Sequence, residues 1–329
     1  MKLFALQGSE EFGRQVANHL QLSLGKHEER EFEDGEHKIR PLENIRNQDT
    51  FILHSLYSDA RQTVNDKLCR LLFFISALKD SAAKSVTAVI PYFCYARKDR
   101  RTKPGDPVTS RYVARLLEAS GADNVVTMDI HNLQAFQNAF SIPAENLKAK
   151  KLFASFLAGR ISDRDVAVVS PDFGGAKRAE EFFETLEKML PKPPAFAVME
   201  KYRSSGTVWG SRLAGDVHGR LVIILDDLIS TGGTVVRAAA ACRSSGASSV
   251  IAMATHGLFT GRAAETLKDP VLDQLVITNT VPPFRLASTD VKSKLTIVDA
   301  APLFAEAIRR INEGGSIDEL LENDQTHDA

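Results

Sequence analysis

The chain has 329 residues, 43% of them hydrophobic and 25% charged, with a formal net charge of −1. That is the composition of a soluble globular protein long enough for two domains of ordinary size, and it lends no support to a nucleic-acid or membrane-surface partner. Cys69, Cys94 and Cys242 show neither a disulfide framework nor a metal spacing, the opening MKLFALQGSEEFG lacks the apolar region of a signal peptide, and the apolar segment at 68–78 is far too short to span a bilayer; a reducing, cytoplasmic setting is expected.

Along the chain, apolar runs of strand type alternate with amphipathic stretches, which predicts an α/β fold with mostly parallel sheets. FEDGE at 32–36 reads as a tight hairpin turn, for which Asp-Gly is the usual chemistry. FILHSL, VTAVIPYF, NVVTMDIH, VAVVSPDF, LVIILDD, SVIAMATHG and LVITNTV read as strands. NDKLCRLLFFISALKD, SRYVARLLEAS, AKRAEEFFETLEKML and TVVRAAAACRSSG read as helices. A pattern of Gly121-Ala122, Val125-Val126, Met128 and His131 recurs 125 residues later as Gly246-Ala247, Val250-Ile251, Met253 and His256. Two tandem copies of one α/β domain explain it. The expected boundary lies in SIPAENLKAKK, with a first domain over 1–146 and a second over 147–301. The last helix, about 302–321, is expected to return to the first domain, ahead of a polar tail that frays.

Several strand ends carry chemistry. YARKDRR at 95–101 places Arg97, Lys98, Arg100 and Arg101 in one short loop, either a solvated surface or a seat for a polyanion. MDIH at 128–131 ends a strand with Asp129 and His131 on one face. PDFGGAKRAEEF at 171–182 is either a phosphate or metal loop or a plain strand-to-helix turn, and Asp172 favours function. If His131 and Asp172 lie on adjacent loops, they could share a Mg²⁺ whose other positions are filled by phosphate oxygens and water. EKYRSSGTVWGSR at 200–212, with Lys201, Arg203 and Arg212, reads as a mobile cationic loop of the kind that covers phosphoryl-transfer sites. LVIILDDLISTGGTV reads as strand, loop and helix start. Asp226 and Asp227 then stand at the carboxyl end of a strand, where open α/β sheets bind ligands, and Thr231–Thr234 offers backbone amides to a phosphate ahead of a helix starting near Val235.

FEDGE, NDKL, VIPYFCYARKDRR, MDIH, VVSPDFGGAKRA, EKYR, LDDLISTGGT and THGLF together, in this order, resemble the ribose-phosphate pyrophosphokinases, from about Leu3 to about Leu321. The resemblance implies two tandem phosphoribosyltransferase-type domains, each a mostly parallel sheet flanked by helices, and homodimers that build a hexamer. It implies transfer of the pyrophosphoryl group of ATP to the C1 hydroxyl of ribose 5-phosphate. Carried over residue by residue, Phe32, Asp34, Gly35 and Glu36 of the turn, given by a neighbouring subunit, and Arg97, Lys98 and Asp99 contact ATP. His131 and Asp172 hold Mg²⁺, while Lys201 and Arg203 are catalytic. Arg203, Asp226, Asp227, Ser230, Thr231, Gly232, Gly233 and Thr234 hold ribose 5-phosphate.

Two alternatives stand beside that reading. One is a silent, synthetase-associated regulatory subunit, against which the presence of His131, Asp172, Lys201 and Arg203 counts. The other is a phosphoribosyltransferase that consumes the pyrophosphate, against which the ATP-side motifs count. The chain also departs from the pattern of the family it resembles. Ser230 stands where an aspartate usually precedes Thr-Gly-Gly-Thr, and a hydroxyl cannot supply a carboxylate's charge. Lys98 stands where glutamine is common, NLQAFQNAF with Phe136 replaces the usual glutamine pattern after MDIH, and GGSIDELLEND replaces a serine and aromatic pattern near the end. Weak or absent activation by phosphate and inhibition by ADP are therefore expected.

Overall fold

The computed structural model of the protein describes residues 1–161, 163–204 and 207–322, without the side chains of 200–211. The side chains of Lys201 and Arg203 and the polar tail from 323 onward lie outside the described residues.

The first part of the chain runs β1 (Lys2–Ala5), α1 (Glu10–His19), β2 (His27–Glu31), β3 (His37–Pro41), β4 (Asp49–Leu53), α2 (Val64–Asp80), β5 (Ser85–Ile90), α3 (Thr109–Ala119), β6 (Asn124–Met128), α4 (Leu133–Gln137) and β7 (Ala144–Leu147). Its main sheet has five parallel strands in the order β1-β4-β5-β6-β7, and β2 and β3 form a separate antiparallel ribbon. Thr63 and Asp66 start α2 with a reciprocal capping box, which satisfies two orphan amides at once. From there Leu68, Leu71, Phe74, Ile75 and Leu78, at helical spacing, bury one face against the sheet side of the core. The ribbon is held to α2 by Arg70, whose side chain is 4% exposed and whose Nη2 donates to Glu31 Oε2 at 2.9 Å.

The second part runs α5 (Lys150–Ile161), β8 (Val166–Ser170), α6 (Ala176–Met189), β9 (Ala195–Ser204), β10 (Thr207–Ala214), β11 (Leu221–Ile229), α7 (Gly233–Ser244), β12 (Ser249–Gly257), α8 (Ala263–Thr266), β13 (Gln274–Thr278) and β14 (Leu295–Val298). Its strands form one sheet in the order β10-β9-β8-β11-β12-β13-β14, parallel except for β10. β11 sits inside the sheet, and Leu221–Leu225 are buried on both faces, as a central parallel strand requires. The chain closes with α9 (Ala301–Glu313) and α10 (Ile317–Glu322). By contact it divides into two units, one of 1–148 with 301–329 and one of 149–300. Phe12 of α1 meets Phe304 of α9 edge to face at 5.5 Å within the first unit.

The segment read as a loop at 200–212 differs in the structure. Its described backbone, 200–204 and 207–212, belongs to β9 and β10, which pair antiparallel from Ser204 opposite Thr207 to Val198 opposite Ala214, with a register shift between Val208 and Ser211. Tyr202, Val208 and Trp209 give this stretch the β-branched and aromatic content of strands. The helix expected near Val235 begins at Gly233.

Candidate functional site

In the second unit, three features gather at the carboxyl ends of the adjacent strands β8 and β11. Asp226 and Asp227 are the first. Arg178, in the first turn of α6, places Nη1 3.3 Å from Asp227 Oδ1 and 3.6 Å from Asp226 Oδ1. The Asp227 side chain is 4% exposed and that of Asp226 21%. Burial, and then the charge of Asp227, push the Asp226 carboxyl well above the usual carboxylate range, with Arg178 opposing. Two carboxylates thus share one cation, an arrangement suited to sugar hydroxyls, which donate to a carboxylate and complete its hydrogen bonding.

The loop after β11 is the second feature. Gly232 adopts φ +81 and directly precedes α7. A Cβ there would stand 2.8 Å from Leu267 Cδ2, so glycine is demanded by both conformation and space. This turn brings Thr231–Thr234 to the start of a helix of 12 residues, whose unpaired amides and dipole favour an anion. Ser230 Oγ lies 2.8 Å from Thr260 Oγ1, so the hydroxyl directly before the Thr-Gly-Gly-Thr turn already has a partner.

Asp172 is the third. It precedes a single 3-10 turn at 173–175, and its Oδ1 accepts from the Gly175 amide at 3.1 Å. The carboxylate therefore shapes the loop that it opens.

In the first unit, the loop after β5 and the loop after β6 are joined. Asn132, which follows the exposed His131, donates from Nδ2 to Asp99 Oδ2 and accepts at Oδ1 from the Ala135 amide. Arg97 is exposed. Lys98 is turned inward on its own loop, with Nζ 2.7 Å from Asp106 Oδ2. That ammonium, with the Thr102 hydroxyl and the Thr102 and Lys103 amides, holds the Asp106 carboxyl far below its ordinary range. Of the cations placed here by sequence, Lys98 is thus committed to the loop itself. The FEDGE turn joins β2 to β3, with Gly35 at φ +88, the Phe32 amide donating to Glu36 O at 2.7 Å, and Asp34 Oδ1 accepting from the Glu36 amide. All of Phe32–Glu36 is exposed.

Arg178, Thr260, Asn132 and Asp106 were not picked out by sequence. Arg178 lay inside a motif but was hidden by the glycines before it, and Asn132 carried only the weak signal of an N-cap residue ahead of a short helix. Among the described residues no three His, Cys, Asp or Glu side chains gather as a cation site. Asp172 stands in the second unit and the exposed His131 in the first, and a carboxylate such as that of Asp172 is the kind of ligand Mg²⁺ takes beside phosphate oxygens and water.

Residues 1–121 match the family model of the N-terminal domain of ribose phosphate pyrophosphokinase, and residues 207–322 that of the phosphoribosyl synthetase-associated domain. The ribose-phosphate pyrophosphokinase of Caldanaerobacter subterraneus subsp. tengcongensis is 39% identical over 98% of this chain and 98% of its own, and that of Wolinella succinogenes 38% identical over 97% and 98%. The crystal structure of phosphoribosylpyrophosphate synthetase from Mycobacterium smegmatis superposes with a TM-score of 0.85 at 35% identity, over 95% of this chain and 99% of that one. The α/β fold with two phosphoribosyltransferase-type sheets is thereby that of the synthetases. The chain belongs to the ribose-phosphate pyrophosphokinase family.

Proposed function

We infer that the protein transfers the pyrophosphoryl group of ATP to the C1 hydroxyl of ribose 5-phosphate, giving 5-phosphoribosyl 1-pyrophosphate and AMP for nucleotide biosynthesis. The observation that carries this reading is the end of β11, where two carboxylates stand a few residues before the amide-rich start of a helix. That spacing suits a sugar with hydroxyls at one end and a phosphate at the other. Near full-length likeness to named pyrophosphokinases supports it.

In this reading the amides of Thr231–Thr234 take the 5-phosphate, and Asp226 and Asp227 take ribose hydroxyls, turning C1 toward the nucleotide. The C1 oxygen forms a bond to the β-phosphorus as its proton is lost. The bond from the β-phosphorus to the α,β-bridging oxygen breaks, and AMP leaves with the electron pair. Arg97 and Asp99 serve the nucleotide, with Phe32, Asp34, Gly35 and Glu36 given by a neighbouring subunit of a homodimer that builds a hexamer. Lys201 and Arg203 offset charge on the phosphoryl oxygens, Arg203 also reaching the sugar phosphate. His131 and Asp172 would hold Mg²⁺, which supplies neutralisation of the triphosphate. No helix among the described residues is long and apolar enough to cross a membrane, and a cytoplasmic setting suits these substrates.

The test is the nucleotide product. Chromatography should find AMP, formed only when ribose 5-phosphate is present; ADP instead would mean γ-phosphoryl transfer and contradict the reading.

A further inference from the structure

We propose that Asn132 is a positioning residue for the nucleotide, acting through its hydrogen bond to Asp99 to fix the Arg97–Asp99 loop against the loop that carries His131. The inference rests on the functional reading above, because it needs both loops to serve the triphosphate.

The geometry makes the bridge specific. Asn132 has an extended backbone, φ −139 and ψ 105, and caps α4 through Oδ1, 3.1 Å from the Ala135 amide. With its oxygen committed there, the amide group has only Nδ2 left to present, and it presents it to Asp99 Oδ2. One side chain therefore reads both loops, its cap setting its rotamer and its rotamer setting the bond. The surroundings strengthen it. Phe93, Ala96, Ile130 and Phe136 line a cavity of about 10 Å³ beside Asp99 and Asn132, and Phe93, Ile130 and Phe136 are each at most 7% exposed. A charge-assisted bond against an apolar wall is worth more than the same bond in water.

The cation-rich loop leaves β5 at Pro91 and enters α3 at Thr109, whereas the His131 loop leaves β6 and enters α4 two residues after His131. The remaining carboxylate of the first loop, Asp106, is spent on Lys98, Thr102 and Lys103 within that loop. Asp99 is thus the carboxylate that faces across to the second loop, and in this arrangement it orients Arg97 by holding its loop in place.

The test uses the full-length protein and the variants Asn132→Asp, Asp99→Asn and the two combined. Asn132→Asp keeps an oxygen for the Ala135 amide, so the cap survives, but sets a carboxylate against Asp99. The double variant restores a donor and an acceptor with their places exchanged. Each single variant should raise the KM for ATP, and weaken calorimetric binding of a non-hydrolysable ATP analogue, by roughly tenfold. The KM for ribose 5-phosphate should stay within about twofold, and the double variant should recover ATP affinity to within about threefold of the parent. A structural role alone would lower kcat through a lost active fraction and leave both KM values intact, and that result overturns the proposal. A double variant no better than the worse single does so too. A parent protein that binds no ATP analogue contradicts the functional reading itself; a parent that binds it, with no recovery in the exchange, contradicts the bridge alone.

Discussion

The guanidinium of Arg178 lies within 3.6 Å of both Asp226 and Asp227, so one positive charge answers two negative ones in a largely buried place. Folding therefore disfavours the ionised Asp226, and its carboxyl is raised above the ordinary value. The sign follows. In acid, where Asp226 is protonated both folded and unfolded, it costs nothing. As pH rises from the ordinary carboxylate value through the raised one, the unfolded chain ionises first and stability is lost. Asp226→Asn removes that loss, and we expect its Tm at neutral pH to exceed the parent's by roughly 2–4 °C, the shift that about 1 kcal/mol produces in a domain of this size. The difference should vanish in acid. The same variant should weaken ribose 5-phosphate by roughly tenfold, since the amide nitrogen cannot accept from a sugar hydroxyl as the carboxyl oxygen it replaces can. Differential scanning fluorimetry across pH, beside a sugar-phosphate titration, reads both; a variant less stable at neutral pH contradicts this description of the pair.

At the scale of elements, the helix ends show how local rules repeat. α3 and α7 both finish in a left-handed glycine: Gly121 donates to Glu118 O and Ala122 to Leu117 O, and Gly246 donates to Arg243 O and Ala247 to Cys242 O. This is the Schellman pattern, and it explains why Gly-Ala recurs in the sequence repeat. α2 ends the same way, with Ala82 donating to Lys79 O and Ala83 to Leu78 O, but Ala82 holds φ +61 with a side chain. Ala82→Gly should therefore stabilise by about 1 kcal/mol, measured as a higher midpoint in urea at unchanged slope; a lower midpoint would show that the methyl group packs usefully. The strands divide by place. β4, β5, β6, β8, β11, β12 and β13, all legible as apolar runs, lie inside their sheets, whereas β1, β7, β10 and β14, which sequence left unmarked, are the four edges. An edge strand needs no continuous apolar run, and AENL of β7 shows it. β9 lies inside and was missed because its apolar start runs on into Glu200, Lys201 and Arg203.

For the whole molecule, the loops that make the candidate site were legible because each follows a readable strand and carries residue types with few other uses. What holds those loops in shape was not. Arg178 and Asn132 act through contacts with residues distant in sequence, Asp106 through contacts inside its own loop, and no spacing announces them. The C-terminal helices are also held together locally. Arg310 of α9 donates to Ser316 O at 2.7 Å and pairs with Glu319 at 3.7 Å, so residues 314–322 are engaged in packing α10 onto α9. We expect rates measured across a phosphate series, and with ADP added at saturating ATP, to stay nearly flat; a strong phosphate requirement would contradict this.

The central claim is pyrophosphoryl transfer, and ³¹P NMR of the protein with ATP, Mg²⁺ and ribose 5-phosphate tests it most directly. The account predicts AMP together with a new diphosphate on the anomeric carbon, at equal amounts. ADP with a sugar bisphosphate, or no change in ATP at all, would contradict it.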